Sequence, residues 1–185
     1  MKHLLKYEIP FKGLKEGEHE FDFKLDNKFF EQFENSEVKK GQLDATVLLT
    51  RQSTMLILDM AVKGKVELMC DRCLDNYMQD VENNSRLIIK FGQEAEELSD
   101  EIVVIEAEDY QINVAHYLYE LVILGLPIKH VHPTDENGNS DCDPEMVDKL
   151  EEYLLDDEEA QEAQEEPIVD ERWSELKKLL DNKKS

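Results

Sequence analysis

Residues 42–52 (QLDATVLLTRQ), 53–70 (STMLILDMAVKGKVELMC) and 76–92 (NYMQDVENNSRLIIKFG) decide the fold. Each is rich in β-branched and other apolar residues and is set off from the next by polar positions, so the three read as successive strands. Short connections of this kind favour antiparallel pairing. Residues 100–107 (DEIVVIEA) add another strand. Upstream, residues 3–9 and 18–25 follow the period of two of a half-buried strand, with Phe21, Phe23 and Leu25 alternating with charged residues. After them, Asp26-Asn27 introduces residues 28–34 (KFFEQFE), where Phe29, Phe30 and Phe33 recur at helical spacing and a short helix is expected to dock on the sheet. That gives six or seven strands before the first long helix.

The helix is expected over Ile112–Leu126 (INVAHYLYELVILGL), nearly all apolar apart from a stripe of Asn113, His116 and Glu120, and therefore largely buried. Asn113 is its expected N-cap, and Gly125 followed by Pro127 its stop. Residues 130–142 then form a loop, and Asp143-Pro144 opens a short helix reaching about Leu155. The fold class is α+β: one domain over residues 1–150, with a mostly antiparallel sheet, flat or curled toward a barrel, covered by a single buried helix. Residues 151–169 read as a flexible acidic linker. Residues 170–185 read as a C-terminal amphipathic helix with Trp173, Leu176, Leu179 and Leu180 on one face.

The 185 residues carry 44 acids against 21 bases, a formal charge of −23, yet hydrophobic residues at 41% suffice for a core. Residues 151–166 hold nine carboxylates and no base, and the rest of the chain still carries −14. Such a molecule repels phosphate backbones, so any contact with RNA would have to be local, at Lys177, Lys178, Lys183 and Lys184, and DNA is not expected as a partner. The same field favours a basic protein. Glu158 and Glu159 in the acidic run, with Trp173 and Leu176 on the terminal helix, are the candidate partner-binding residues, although such runs are as often plain solvated linkers.

No window of 18 apolar residues is present and the N-terminal residues lack the apolar stretch of a signal peptide, so a cytoplasmic location is expected, away from membranes. Three cysteines are too few for a disulfide framework. Cys70-Asp71-Arg72-Cys73, between two strands, places two thiols where one tight turn can aim both at a Zn²⁺ ion. The donors best able to complete a tetrahedron are Cys142 and either His132 or His130, giving Cys70, Cys73, His132 and Cys142 as the candidate set. The competing reading is a turn that merely retains two thiols. A thioredoxin-like role would need the first cysteine at a helix N-terminus, which a β-rich context does not provide.

His116 and Glu120 are spaced for an acid/base pair, but the commoner reading is a solvated stripe on a packed helix. No GxSxG, HExxH, phosphate-binding loop or dinucleotide fingerprint is present. The reading is non-enzymatic; its alternative is a zinc- or thiol-dependent enzyme acting on RNA or protein through Cys70, Cys73, His132 and Cys142.

Four segments in order carry a resemblance to a known family: KGKVELMCDRCLDNYMQDV, INVAHYLYELVILGLPIKHVH, Cys142, and DERWSELKKLL. Over residues 41–181 the chain resembles the YceD family, named for large ribosomal RNA subunit accumulation. The matching positions are Cys70, Cys73 and Leu74; Asn113, Glu120, Leu126 and Pro127; and Asp170, Arg172, Trp173, Leu176 and Leu179. Many relatives carry more cysteines after the Leu-Pro step, and Glu171 stands where proline is common. The resemblance implies a non-catalytic cytoplasmic factor, bacterial or plastid, supporting accumulation or processing of large-subunit ribosomal RNA. Its expected partner is a large-subunit precursor or a basic ribosomal protein.

Overall fold

The computed structural model describes residues 2–99, 101–134 and 140–153. The chain divides into two compact units, Met1–Cys142 and Asp143–Ser185. In the first, a six-stranded sheet has the order β2-β3-β4-β5-β7-β6, formed by β2 (Gly17–Leu25), β3 (Lys40–Arg51), β4 (Met55–Met69), β5 (Asn76–Gly92), β6 (Glu96–Ser99) and β7 (Ile102–Glu106). A separate two-stranded sheet pairs β1 (Glu8–Pro10) with β8 (Gln111–Asn113). The larger sheet is open, with β2 and β6 as its edges, so the barrel alternative is not realised.

The α+β class and the mostly antiparallel sheet expected from the sequence are present, and β3, β4 and β5 lie where the opening segments place them. Four expectations need correction. Residues 2–7 form a 3-10 helix rather than the start of a strand, because Tyr7 turns inward and is buried while its carbonyl accepts the Val114 N–H at 2.9 Å. Ile112 and Asn113 belong to β8, since Glu8–Pro10 takes Gln111–Asn113 as its partner; helix α2 therefore spans only Ala115–Leu124. Asn113 still serves the helix start, its Oδ1 accepting the Ala115 N–H at 3.0 Å, although the capping position is Val114. The described residues hold eight strands, and β7 runs parallel to β5: the β6–β7 hairpin folds back so that its second strand, not its first, joins the sheet. Finally, α2 is not largely buried. Ala115, Leu118, Leu121 and Val122 are inside, while Leu124 is 78% exposed.

Strand alternation builds the layers. On β4, Leu56, Leu58, Met60, Val62, Val66 and Leu68 are buried on the same side as Gly64, and the residues alternating with them face outward. The outward face is a lattice of opposite charges: Lys24 on β2, Asp44 on β3, Lys63 on β4 and Glu82 on β5 lie side by side in register, with Lys24–Asp44 at 3.1 Å and Lys63–Glu82 at 2.7 Å. Arg86–Asp59 at 2.6 Å continues it. Exposed pairs of this kind add little stability, but opposite charges across strands favour this register over slipped ones.

The inward face is closed by aromatic contacts. Helix α1 (Asn27–Phe30) is capped by Asp26, whose carboxylate accepts the Phe29 N–H at 3.1 Å, and it buries Phe29 and Phe30. Phe29 packs on Tyr7 and Phe33, and Phe33 stacks on Tyr119 of α2 with centroids 4.0 Å apart. In the second unit, α3 (Pro144–Tyr153) starts with proline where its missing N–H costs nothing, and Asp143 caps it by accepting the Glu145 N–H at 3.0 Å. The first three residues read as acidic linker, 151–153, belong to α3; the rest of the linker, the terminal helix and the candidate residues Glu158, Glu159, Trp173 and Leu176 lie outside the described residues, as do the four lysines near the C-terminus.

Candidate metal centre

Strands β4 and β5, of 15 and 17 residues, form the longest hairpin of the sheet, and Cys70–Asp75 is the turn that joins them. The turn closes with the Cys70 N–H donating to Asp75 O at 2.8 Å and the Leu74 N–H to Cys70 O at 3.0 Å. Leu74 takes a left-handed conformation, φ 64°, which lets both thiols turn inward. Cys70 and Cys73 are 0% and 3% exposed.

The segment after α2 returns to this turn through a two-way clamp. The Asp71 N–H donates to the His130 carbonyl at 2.6 Å, and the Asp71 carboxylate accepts the His130 N–H at 2.8 Å. Two residues on, His132 is directed at the thiols. Its Nδ1 lies 3.5 Å from both Cys73 Sγ and Cys142 Sγ, while Cys70 Sγ and Cys142 Sγ are 3.7 Å apart. All four donor atoms lie within 4.8 Å of one another. The Tyr77 ring of β5 packs against the imidazole with centroids 5.1 Å apart. His130 is not a donor here; its Nδ1 faces Glu37 at 3.4 Å, which resolves the choice between the two histidines.

Zinc fits this arrangement. With Zn–S of about 2.3 Å and Zn–N of about 2.0–2.1 Å, a tetrahedron has S···S edges of about 3.8 Å and S···N edges of about 3.6 Å, close to the 3.7 and 3.5 Å found for three of the edges. The electrostatics point the same way. Burial raises the Cys70 thiol, but N–H groups of Cys73, Arg72 and His132 directed at its sulfur outweigh it and hold the group down at about 6. Cys142 moves the other way: the Ser140 hydroxyl lowers it, but burial and the sulfurs of Cys70 and Cys73 together push it up. One thiolate thus discourages the next, and a bound dication would relieve that conflict.

His116 and Glu120 do pair, at 3.0 Å, and both are exposed on α2. Sequence reading found all four clustered donors. It missed Asp71 and Tyr77, which support them; the position of Asp71 inside the CxxC turn was the available signal.

Fold and site together define an acidic α+β protein whose longest hairpin ends in a Cys₃His cluster. Among families, the model of the large ribosomal RNA subunit accumulation protein YceD matches residues 58–180, from the middle of β4 through both segments that supply the cluster. The chain belongs to the YceD family, as the resemblance led us to expect. No curated protein and no solved structure matches it.

Proposed function

We propose that this protein is a non-enzymatic, cytoplasmic ribosome-biogenesis factor that supports accumulation of large-subunit ribosomal RNA by binding a precursor particle through a basic ribosomal protein. Membership of the YceD family carries the reading, because the family is named for that role. The charge of −23 supports a basic protein as the direct contact, since complementary fields speed encounter and disfavour acidic competitors. RNA is then reached indirectly.

In this reading Cys70, Cys73, His132 and Cys142 hold one Zn²⁺ as a structural ion. Four protein donors complete a tetrahedron, which is the pattern of structural rather than catalytic zinc. The ion would tie the β4–β5 turn to the chain after α2, joining segments 59 or more residues apart in sequence. No helix among the described residues is long and apolar enough to cross a membrane.

The test is affinity purification of the tagged full-length protein from growing cells, with quantitative mass spectrometry of partners and sequencing of bound RNA. Enrichment of large-subunit proteins with unprocessed ribosomal RNA is the expected result. Absence of both would overturn the assembly reading and return attention to the cysteine cluster as an enzymatic or regulatory site.

A further inference from the structure

Helix α2 has ten residues and covers only about 15 Å, whereas β5, with 17, runs on the order of 55 Å. The helix therefore leaves part of the sheet's inner face open. Val81, Leu87 and Ile89 on that face are buried, but Ser85, which alternation places on the same side, is exposed. Asn83 marks the edge of the covered region, its amide donating to the Leu121 carbonyl at 2.9 Å. Beyond it a cleft of about 430 Å³ opens, with Met60, Leu87 and Leu121 as apolar lining and Tyr117 and Leu124 from the helix.

Two carboxylates also line this cleft, Glu97 from β6 and Glu120 from α2. The Tyr117 hydroxyl is raised first by burial and then by both of these charges, which places them near it. Glu120 is steadied by His116, while Glu97 is exposed. Apolar lining, an aromatic ring and two carboxylates complement one kind of side chain. An arginine can lay its methylene stem on apolar surface, its planar cation on a tyrosine face and its N–H groups on carboxylates. The same carboxylates repel phosphate, so the cleft suits a protein segment rather than RNA.

We propose that the cleft between α2, β5 and β6 is a docking site for an arginine- and leucine-bearing segment of a basic protein. The proposal rests on the reading that a basic protein is the direct partner and assigns that contact to a site. Leu124 supplies the apolar anchor beside it.

Fluorescence anisotropy of a labelled octapeptide of arginine and leucine, and of its citrulline analogue, tests this with full-length protein. Citrulline keeps the shape of arginine and removes the charge. The arginine peptide should bind at least tenfold more tightly than the analogue. Glu97→Gln with Glu120→Gln should weaken it at least tenfold, and Ser85→Trp, which fills the cleft without altering charge, should do the same. Glu18→Gln with Glu20→Gln on exposed edge strand β2 removes equal charge elsewhere and should change affinity less than twofold. Equal weakening by the β2 pair and the cleft pair would overturn the proposal in favour of bulk attraction, as would tighter binding of a uridine dodecamer than of the peptide. Should Ser85→Trp not fold, the exposed glutamate pair decides alone. Cellular capture separates this from the assembly reading. Ribosomal particles retained equally by the cleft variant sink the cleft and leave the role; cleft-dependent peptide binding without ribosomal particles does the reverse.

Discussion

Asp71 and His130 are joined twice, backbone to backbone at 2.6 Å and carboxylate to backbone at 2.8 Å, across 59 residues of sequence. The clamp fixes where the chain after α2 meets the β4–β5 turn, and so where His132 sits relative to Cys73. Asp71 donates no electrons to a metal, yet the ligands depend on it for position. Asp71→Ala should weaken zinc binding by about 10–100-fold, the cost typical of lost supporting contacts around a metal. Asp71→Asn, which keeps an acceptor for the His130 N–H, should recover part of it. Competition against a chromophoric chelator measures both, and an unchanged affinity in the alanine variant would remove the clamp from the account.

Zinc content itself gives the second expectation. The protein purified without chelator should hold one equivalent, while Cys70→Ser, Cys73→Ser and His132→Ala should each hold well below one. Because the ion joins distant segments, chelation should also lower the thermal midpoint by several degrees. Elemental analysis with differential scanning calorimetry reads both. Full-length protein without metal, and with a midpoint indifferent to chelator, would favour the plain two-thiol turn.

Without metal, the cluster should make stability depend on pH. The folded Cys70 thiol is held at about 6 against an ordinary 9.0. Between those values the unfolded chain holds a proton that the folded form lacks, so stability rises with pH across that window and is lost as pH falls through about 6. Cys142, pushed upward, acts oppositely, favouring the fold below its ordinary value and losing that contribution as pH rises further. The melting midpoint of stripped protein should climb from pH 6 to pH 8, and Cys70→Ser should flatten that slope. A slope unchanged by the substitution would assign it to other groups.

The sheet was legible because its code is local: alternation marked β2 to β5, and Asp26 announced the helix that buries Phe29 and Phe30. What escaped depended on partners far along the chain. Ile112 has the composition of the helix that follows, and only its pairing with Ile9 makes it a strand residue. Tyr7 alternates as a strand residue would, but packing against Phe29 draws it into a 3-10 turn. Likewise, the apolar run of α2 implies a largely buried helix with one polar stripe, although Leu124 lies exposed and borders an open cleft. The four donors were visible because few residue types can hold zinc. Spacing alone did not choose between His132 and His130, since that choice depends on the Asp71–His130 clamp, whose backbone half has no sequence signature.

Gly64 shows how closely the central strands approach, and supplies the last expectation. It pairs with Leu43 on β3 and Val81 on β5 in the middle of the sheet. A Cβ added there would collide with the Gln42 carbonyl oxygen and lie 2.6 Å from Leu43 Cα, both backbone atoms of the neighbouring strand. No side-chain rotation can relieve such a contact, so the strands must part or slip, and a one-residue slip of β3 would turn its buried Leu43 and Ala45 outward. Alanine should therefore destabilise the protein by about 2–4 kcal/mol, in the range of other severe core disruptions. Gly13→Ala, at a position where the new methyl group meets nothing within 4 Å, is the matched control and should lie within about 0.5 kcal/mol of the parent. Urea unfolding of both variants measures the difference. Equal stability of the two would mean that β3 and β4 do not approach as closely as their register requires.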